Sequence, residues 1–516
     1  MINKPSPMVR LIVIFGLAAL SVRFASLGLF PLMDTTEARY GEIARIMMET
    51  SNWITPQFDY NIPFWGKPPL HTWMSAIGFK WLGVSEFAGR LPHFLTGLMI
   101  LALVWLFGRQ QGNKNTANLA AGILATTVVF CISIGAIMTD TALLLAITLT
   151  LGSFWQAWQL TDSNPDQKRN RWGYLFFVGL GIGLLAKGPI ILILTGLPVF
   201  LWCLPEWRIL QLWKRLPWVS GTLLMLAIAL PWYLLAEQAT PGFLNYFIVG
   251  EHFQRFLVSG WQGDLYGTAH VHPKGFIWLK WLYAALPWNI VLPLVWWKAR
   301  KHRQSEAGKQ DNPACPEQAR TQQWRLLLWC WMLTPMIFFT LAGNIIWTYI
   351  LPATPALVLL IADYIREFAF AESVSPAKKR RNQGNQWLAW PGVLMPVVMV
   401  IITIAMNSDT RNSAKSLVEA YQEQLDSSRT GLVFWGSRPF SGQFYSRGQA
   451  VEVESVNELV SHINKETGSL YLVARPGDQR YLQESLTGQL DLVAETSKRQ
   501  LWRLSEFKET GDSETS

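Results

Sequence analysis

The sequence predicts a polytopic α-helical membrane protein with a small C-terminal α/β domain, and three observations lead there. Half of the 516 residues are apolar, only 15% are charged and the mean hydropathy is above zero, which excludes both a soluble globular enzyme and a disordered chain. Apolar runs of roughly the 20 residues needed to cross a bilayer recur as far as residue 406. The charge balance then changes sign, with 12 basic and 16 acidic residues from Asp409 onward against 32 and 19 before it. The net charge of +9 therefore sits largely in short connections between spans, a topology signal that argues against nucleic acid as a partner.

About eleven spans are expected, at 9–31, 91–108, 117–138, 141–160, 172–187, 188–204, 217–236, 276–297, 324–343, 346–365 and 387–406. The connections holding Lys168, Arg169 and Arg171, then Arg208, Lys214 and Arg215, then Lys298 to Arg303, then Lys378 to Arg381, all fall on one side. The positive-inside rule places them, and the N-terminus with Lys4 and Arg10, in the cytoplasm. The opposite side receives residues 32–90, the turn at Asp140, residues 237–275, the turn near Asn344 and the tail. Span one lacks a small-residue cleavage site and is expected to stay as a signal anchor. Residues 1–406 thus form a membrane domain and 407–516 an exported one. Polar residues 298–323, with Pro313 and Pro316, suggest a flexible loop. None of Cys131, Cys203, Cys315 and Cys330 lies in the tail, so neither a disulfide framework nor a cysteine zinc site is supported.

The first exported loop is too patterned to be a connector. Asp34 and Glu37 have capping-box spacing, and Tyr40, Ile43, Ala44, Met47 and Met48 follow as one apolar stripe, predicting an amphipathic helix along the membrane surface. Gly66-Lys67-Pro68-Pro69 opens a second helix ending near Gly83, which puts Lys67 at a helix N-terminus among aromatic residues. A cation there suits the phosphate of an amphiphilic ligand, although a snorkelling lysine explains it equally well. In the loop at 237–275, His252 and Arg255 are three apart and would share a helix face, or simply belong to a solvated surface helix. Asp140 most simply caps the span that follows it. Lys187 in Ala-Lys-Gly-Pro is not a P-loop lysine, because Pro189 stands where Ser or Thr is needed. In the tail, residues 432–435, 470–474, 490–494 and 499–504 have strand patterning, and 456–464 has helical patterning.

Acids and bases thus converge on one face, with no nucleotide motif, Ser-His-Asp series or metal-spaced histidine pair beside them. The ordered motifs Asp34-Thr-Thr-Glu-Ala-Arg-Tyr, Gly-Lys-Pro-Pro at 66–69, Glu-Phe-Ala-Gly-Arg-Leu-Pro at 86–92, Ala-Lys-Gly at 186–188, Glu-His-Phe-Gln-Arg-Phe at 251–256, Leu-Pro-Trp at 286–288 and Thr-Tyr-Ile-Leu-Pro at 348–352 carry a resemblance. With them the chain resembles the bacterial members of the protein O-mannosyltransferase and aminoarabinose transferase superfamily, integral-membrane glycosyltransferases of the C-type fold. Residues 437–448 also resemble the exported domain of such proteins.

The resemblance implies transfer of a sugar from undecaprenyl phosphate, in the bacterial inner membrane, to a periplasmic acceptor such as lipid A or another glycan or protein. It implies Asp34 as the principal catalytic carboxylate, with Asp140 as a second carboxylate in the cavity wall. It implies Lys67, Arg255 and Tyr349 as the group holding the carrier phosphate, and Glu37, Arg39 and His252 as supporting residues. Two departures bear on specificity. Gly66 stands where aminoarabinose transferases usually have Glu, which weakens the case for a divalent metal site with His252, and Gly-Asn-Ile-Ile-Trp precedes Thr348 where the family often has Ser-Lys. Both argue for the general class above the named sugar. A flippase or transporter of lipid-linked sugars is the alternative and would place ionisable residues deep within spans. A non-catalytic scaffold leaves Asp34, Lys67 and Arg255 unexplained.

Overall fold

The computed structural model describes residues 6–159, 166–258, 261–267, 272–307, 316–369, 385–407, 412–425, 431–465, 469–486 and 489–505. Cys315, Pro313 and the basic run Lys378 to Arg381 lie outside these, as do the side chains of Lys168 and Arg169.

The chain is mostly helical. Six helices, Pro7–Ser26, Glu86–Gln111, Thr139–Gln159, Trp218–Ala239, Trp347–Ala369 and Gln386–Asn407, are long and apolar enough to cross a membrane among the described residues. Helices Asp166–Lys187, Ile190–Cys203, Trp288–Ala307 and Pro316–Phe339 occupy further expected positions. Thr139–Gln159 and Trp347–Ala369 are almost entirely enclosed, whereas Trp218–Ala239 and Gln386–Asn407 keep most of their surface outward. Trp155, Trp202, Trp288 and Trp331 are fully buried in the same apolar core. Three of these indoles donate their N–H, Trp331 to Pro352 O at 2.8 Å, Trp202 to Gln323 O at 2.9 Å and Trp288 to Thr126 Oγ1 at 3.0 Å, whereas the Trp155 N–H is unpaired among the described residues.

Several of the expected spans are interrupted or change helix type. The run 117–138 is two helices, Lys114–Ala125 and Val128–Ser133. Thr126 and Thr127 turn their hydroxyls back onto the preceding carbonyls, and Val128 N donates to Leu286 O at 3.0 Å instead of continuing the ladder. The run 276–297 breaks at Pro287 between Ile277–Ala284 and Trp288–Ala307. The run 346–365 opens with a 3₁₀ segment, Trp347–Ala353. The described parts of the expected flexible loop at 298–323 are helical: 298–307 continues Trp288–Ala307, with Lys298 packed over Trp387, Lys301 over Trp297 and Arg303 paired with Glu367 at 2.9 Å, and 316–323 opens Pro316–Phe339.

The first loop forms a compact layer on the opposite face. Helix Thr36–Thr50 does not lie open along the membrane surface: Ala38 and Tyr40 to Met47 are buried between helix Leu70–Leu82 and the tail helix Phe440–Tyr445. Strands β1 (Gln57–Asp59) and β2 (Ile62–Pro63) pair antiparallel beside it. The capping box does not form either. Thr35 is the N-cap residue, without a side-chain bond, because Asp34 and Glu37 are claimed by partners far away in sequence.

The tail holds a five-stranded sheet of β3 (Gly431–Trp435), β4 (Val451–Val453), β5 (Leu470–Ala474), β6 (Gln489–Glu495) and β7 (Gln500–Ser505), in the order β4-β3-β5-β7-β6. Its first three strands are parallel and β7 runs antiparallel to both β5 and β6. Strand β5 is buried along its whole length, as a central strand covered on both faces must be. Residues 437–448 are the edge that meets the first loop: Phe440 packs edge-on against Phe58, Phe444 lies on Phe79, and Arg438 pairs with Asp59. Lys415 and Tyr445 both reach Glu86, at 2.7 and 2.8 Å.

Candidate active site

Two carboxylates of the first loop have separate fates. Glu37 makes a two-pronged ion pair with Arg90, Nε to Oε1 and Nη2 to Oε2 both at 2.8 Å. Arg90 also donates to the carbonyls of Leu27, Phe30 and Pro31, pinning the end of the first span to helix Glu86–Gln111. Burial, the largest influence on Glu37, opposes its charge, but Arg90 overrides it and holds the carboxyl below its usual range. Asp34 instead faces the tail. Ser441 N donates to Oδ1 at 3.0 Å, the Ser441 hydroxyl donates to Oδ2, and Asp34 N donates to Asn412 O at 2.8 Å. Burial pushes the Asp34 carboxyl above its ordinary value, partly offset by the Ser441 bonds and by Arg499.

A second group assembles from the loop at 237–275. Asn245–Gln254 is a π-helix, a rare form frequent at functional sites, and Arg255–Leu257 continues it as one α-turn. Glu251 is the hub. Lys67 Nζ reaches its Oε2 at 2.8 Å, Arg255 Nη1 reaches the same oxygen at 2.9 Å, and Tyr246 OH donates to Oε1 at 3.3 Å. Arg255 Nη2 faces Asp264 at 3.2 Å. Burial alone would raise the Glu251 carboxyl, but Lys67 and Arg255 hold it down to about 2. Lys67 stands just ahead of helix Leu70–Leu82, which ends at Gly83 as expected. It precedes the N-cap residue Pro69 by two positions, and its ammonium also meets Gly66 O at 2.5 Å.

His252 and Arg255 do not share a face in use. His252 places Nδ1 2.8 Å from Phe247 O and Nε2 3.3 Å from Lys187 O, and burial, with Lys67 nearby, holds it below the usual imidazole range. Lys187 ends its helix with Nζ 2.7 Å from Asp140 Oδ1 and 5.1 Å above the Tyr349 ring. Tyr349 also lies within electrostatic reach of Arg255, so it joins the two pairs. Gly188 follows with φ +80°, and a Cβ there would meet the Phe247 ring at 2.6 Å, which explains Gly in Ala-Lys-Gly. Arg39 donates to the Tyr266 carbonyl, and the Tyr266 hydroxyl bridges Trp65 N and Pro63 O, each at 3.0 Å.

The structure therefore brings Lys67, Asp140, Tyr349, His252, Arg255 and Arg39 to one neighbourhood, sets Asp34 under Ser441 and gives Glu37 to Arg90. Sequence reasoning passed over Lys187 once the P-loop comparison failed, and it missed Glu251 although that residue stands inside a quoted motif. Ser441 lay inside the quoted segment 437–448 without being singled out, and Asp264 and Tyr266 carried no local signal. Gly66 offers no side chain, and no group of three His, Cys, Asp or Glu fit for a metal exists among the described residues.

The fold is that of a polytopic helical membrane protein with the C-type glycosyltransferase architecture. A crystal structure of ArnT from Cupriavidus metallidurans bound to undecaprenyl phosphate superposes with a TM-score of 0.72 over 95% of this chain and 97% of that one, at 20% identity. Residues 8–247 match the family model of the dolichyl-phosphate-mannose-protein mannosyltransferases. An undecaprenyl phosphate-alpha-4-amino-4-deoxy-L-arabinose arabinosyl transferase of Erwinia tasmaniensis is 31% identical over 64% of this chain, and one of Yersinia pestis is 30% identical over 69%. Those alignments take in only 55% and 60% of the relatives' own length. The chain is thus similar over much of its length to protein mannosyltransferases and to aminoarabinose transferases.

Proposed function

We propose that the protein transfers a sugar from a polyprenyl-phosphate carrier, undecaprenyl phosphate in a bacterial inner membrane, to an envelope acceptor such as lipid A or another glycan or protein. The reading is carried by one observation: Lys67 and Arg255, from separate segments, meet on Glu251, and the adjacent His252 contacts Lys187, whose ammonium lies over the Tyr349 ring, so cations and an aromatic ring gather in one place. Cations there stabilise the charge that grows on a leaving phosphate. The names of the relatives supply the carrier.

In the reaction, an acceptor hydroxyl attacks the anomeric carbon, the bond from that carbon to the carrier's phosphate oxygen breaks, and the phosphate keeps the electron pair. Asp34 takes the hydroxyl proton, with inversion at the sugar. Where the acceptor is itself a phosphate, little proton removal is needed and Asp34 orients it. The Lys187–Asp140 pair fixes the wall beneath Tyr349. Basic residues such as Lys214, Arg215, Lys298 and Lys301 favour a cytoplasmic location for the opposite face, with the N-terminus there and the tail in the periplasm. The tail then acts as a lid or acceptor-docking element through Ser441 and its neighbours.

Purified protein in detergent, given polyprenyl-phosphate-linked 4-amino-4-deoxy-arabinose or hexose donors with lipid A, is expected to release polyprenyl phosphate and a glycosylated acceptor. Release with none of these donors would overturn the reading.

A further inference from the structure

The charges of the group proposed to hold the phosphate cancel in the resting site. Lys67 and Arg255 bring two positive charges, and Glu251 and Asp264 bring two negative ones, all within 3.2 Å contacts. The carboxylates are covered, with side chains 4% and 6% exposed, while Lys67 and Arg255 keep 19% and 27%. An incoming anion therefore meets the cations first and finds them already neutralised. Glu251 has no other role in view: apart from Tyr246, every side-chain contact it makes is to one of the two cations.

We propose that Glu251 is an internal counter-ion that holds Lys67 and Arg255 in the resting site and yields them when the carrier's phosphate enters, thereby setting carrier affinity and promoting release of the spent carrier. The inference rests on the phosphate-binding role assigned above to Lys67 and Arg255. Its consequence follows from the charges of the two carrier forms. The sugar-linked carrier is a phosphodiester with one negative charge, whereas the released polyprenyl phosphate is a monoester whose charge near neutral pH approaches two. A fixed carboxylate opposes the second more than the first. Glu251 thus weakens product binding more than donor binding, which favours turnover.

The test is the affinity of detergent-solubilised full-length protein for undecaprenyl phosphate, measured by intrinsic tryptophan fluorescence, together with kcat and KM for the donor. Glu251→Gln is expected to bind undecaprenyl phosphate at least tenfold more tightly, about 1.4 kcal/mol, with kcat and donor KM both reduced. Glu251→Asp, which keeps the charge, is expected to stay within about threefold of wild type, less than 1 kcal/mol. A damaged site loses affinity, so a gain is not the signature of misfolding. Should Glu251→Gln fail to fold, Asp264→Asn decides, with a smaller tightening in the same direction. Wild-type binding with no tightening in the folded neutral variant overturns the counter-ion role alone. Absence of binding in wild type and variants overturns the phosphate site as well.

Discussion

Asp34 and Glu251 are both buried carboxylates on the tail side of the bundle, yet their surroundings treat them in opposite ways. Asp34 is held by a hydroxyl and an amide of Ser441, and burial pushes it up. Glu251 lies between two cations, which override burial and hold it at about 2. Environments that drive two acids apart separate their roles. A carboxylate raised toward neutrality keeps a useful affinity for a proton, while one clamped by Lys67 and Arg255 is a permanent charge. Under the proposed function, the contrast places proton transfer on the Asp34 side and phosphate chemistry on the Glu251 side.

Breaking the Asp34 side should have the largest effect. Asp34→Asn keeps the Ser441 contacts sterically and removes the base, so transfer to a hydroxyl acceptor is expected to fall by roughly 10²–10⁴-fold while carrier binding is unchanged. Equal losses in rate and carrier binding would contradict the division of labour. Next comes Glu37→Gln, which strands a buried Arg90. Removing one partner of such a pair costs about 3–5 kcal/mol, to be seen as a large drop in the thermal midpoint of the solubilised protein. If Glu37 instead served chemistry, activity would fall with the midpoint intact. Lys67→Ala and Arg255→Ala are expected to weaken carrier binding by about 10–100-fold, since each loses charge-assisted bonds worth about 1.5–3 kcal/mol. Carrier binding unaffected by both substitutions would remove the phosphate role.

Ser441→Ala should be the mildest, with the rate at the optimum falling only a few-fold. Its sign is specific. The Ser441 hydroxyl stabilises the Asp34 carboxylate, so its loss raises that acid further and moves the acidic limb of the pH–rate profile to higher pH. An unmoved limb would separate Ser441 from Asp34. The other charged group bearing on Asp34, Arg499, anchors on Ser437 and itself feels Arg475 and Glu452, and it is left in place by this change.

What could be seen in the sequence tracks how local each cause is. Strands β3 and β5 to β7 follow from alternation and apolar runs, and the spans follow from length and hydropathy. Motif order pointed to Lys67, Arg255 and Tyr349, and the family resemblance to Asp140. The partners were out of reach: Asp140 pairs with Lys187 47 positions away, Lys67 with Glu251 184 away, and Asp34 with Ser441 407 away. The capping box failed for that reason, because a long-range partner outbid a local one at both of its positions. The break at Thr126 and Thr127 has the same origin, a hydrogen bond from Val128 to Leu286. The π-helix at 245–254 leaves no composition signal at all.

Mass spectrometry of envelope lipids and glycans from cells carrying the wild-type chain, Asp34→Asn, or no copy tests the central claim most directly. A sugar-sized mass increment present only with the wild-type chain is the predicted result, and it would name both sugar and acceptor. Identical envelope profiles in all three, with lipid-linked sugar accumulating on the cytoplasmic leaflet when the chain is absent, would contradict transfer and point to a flippase.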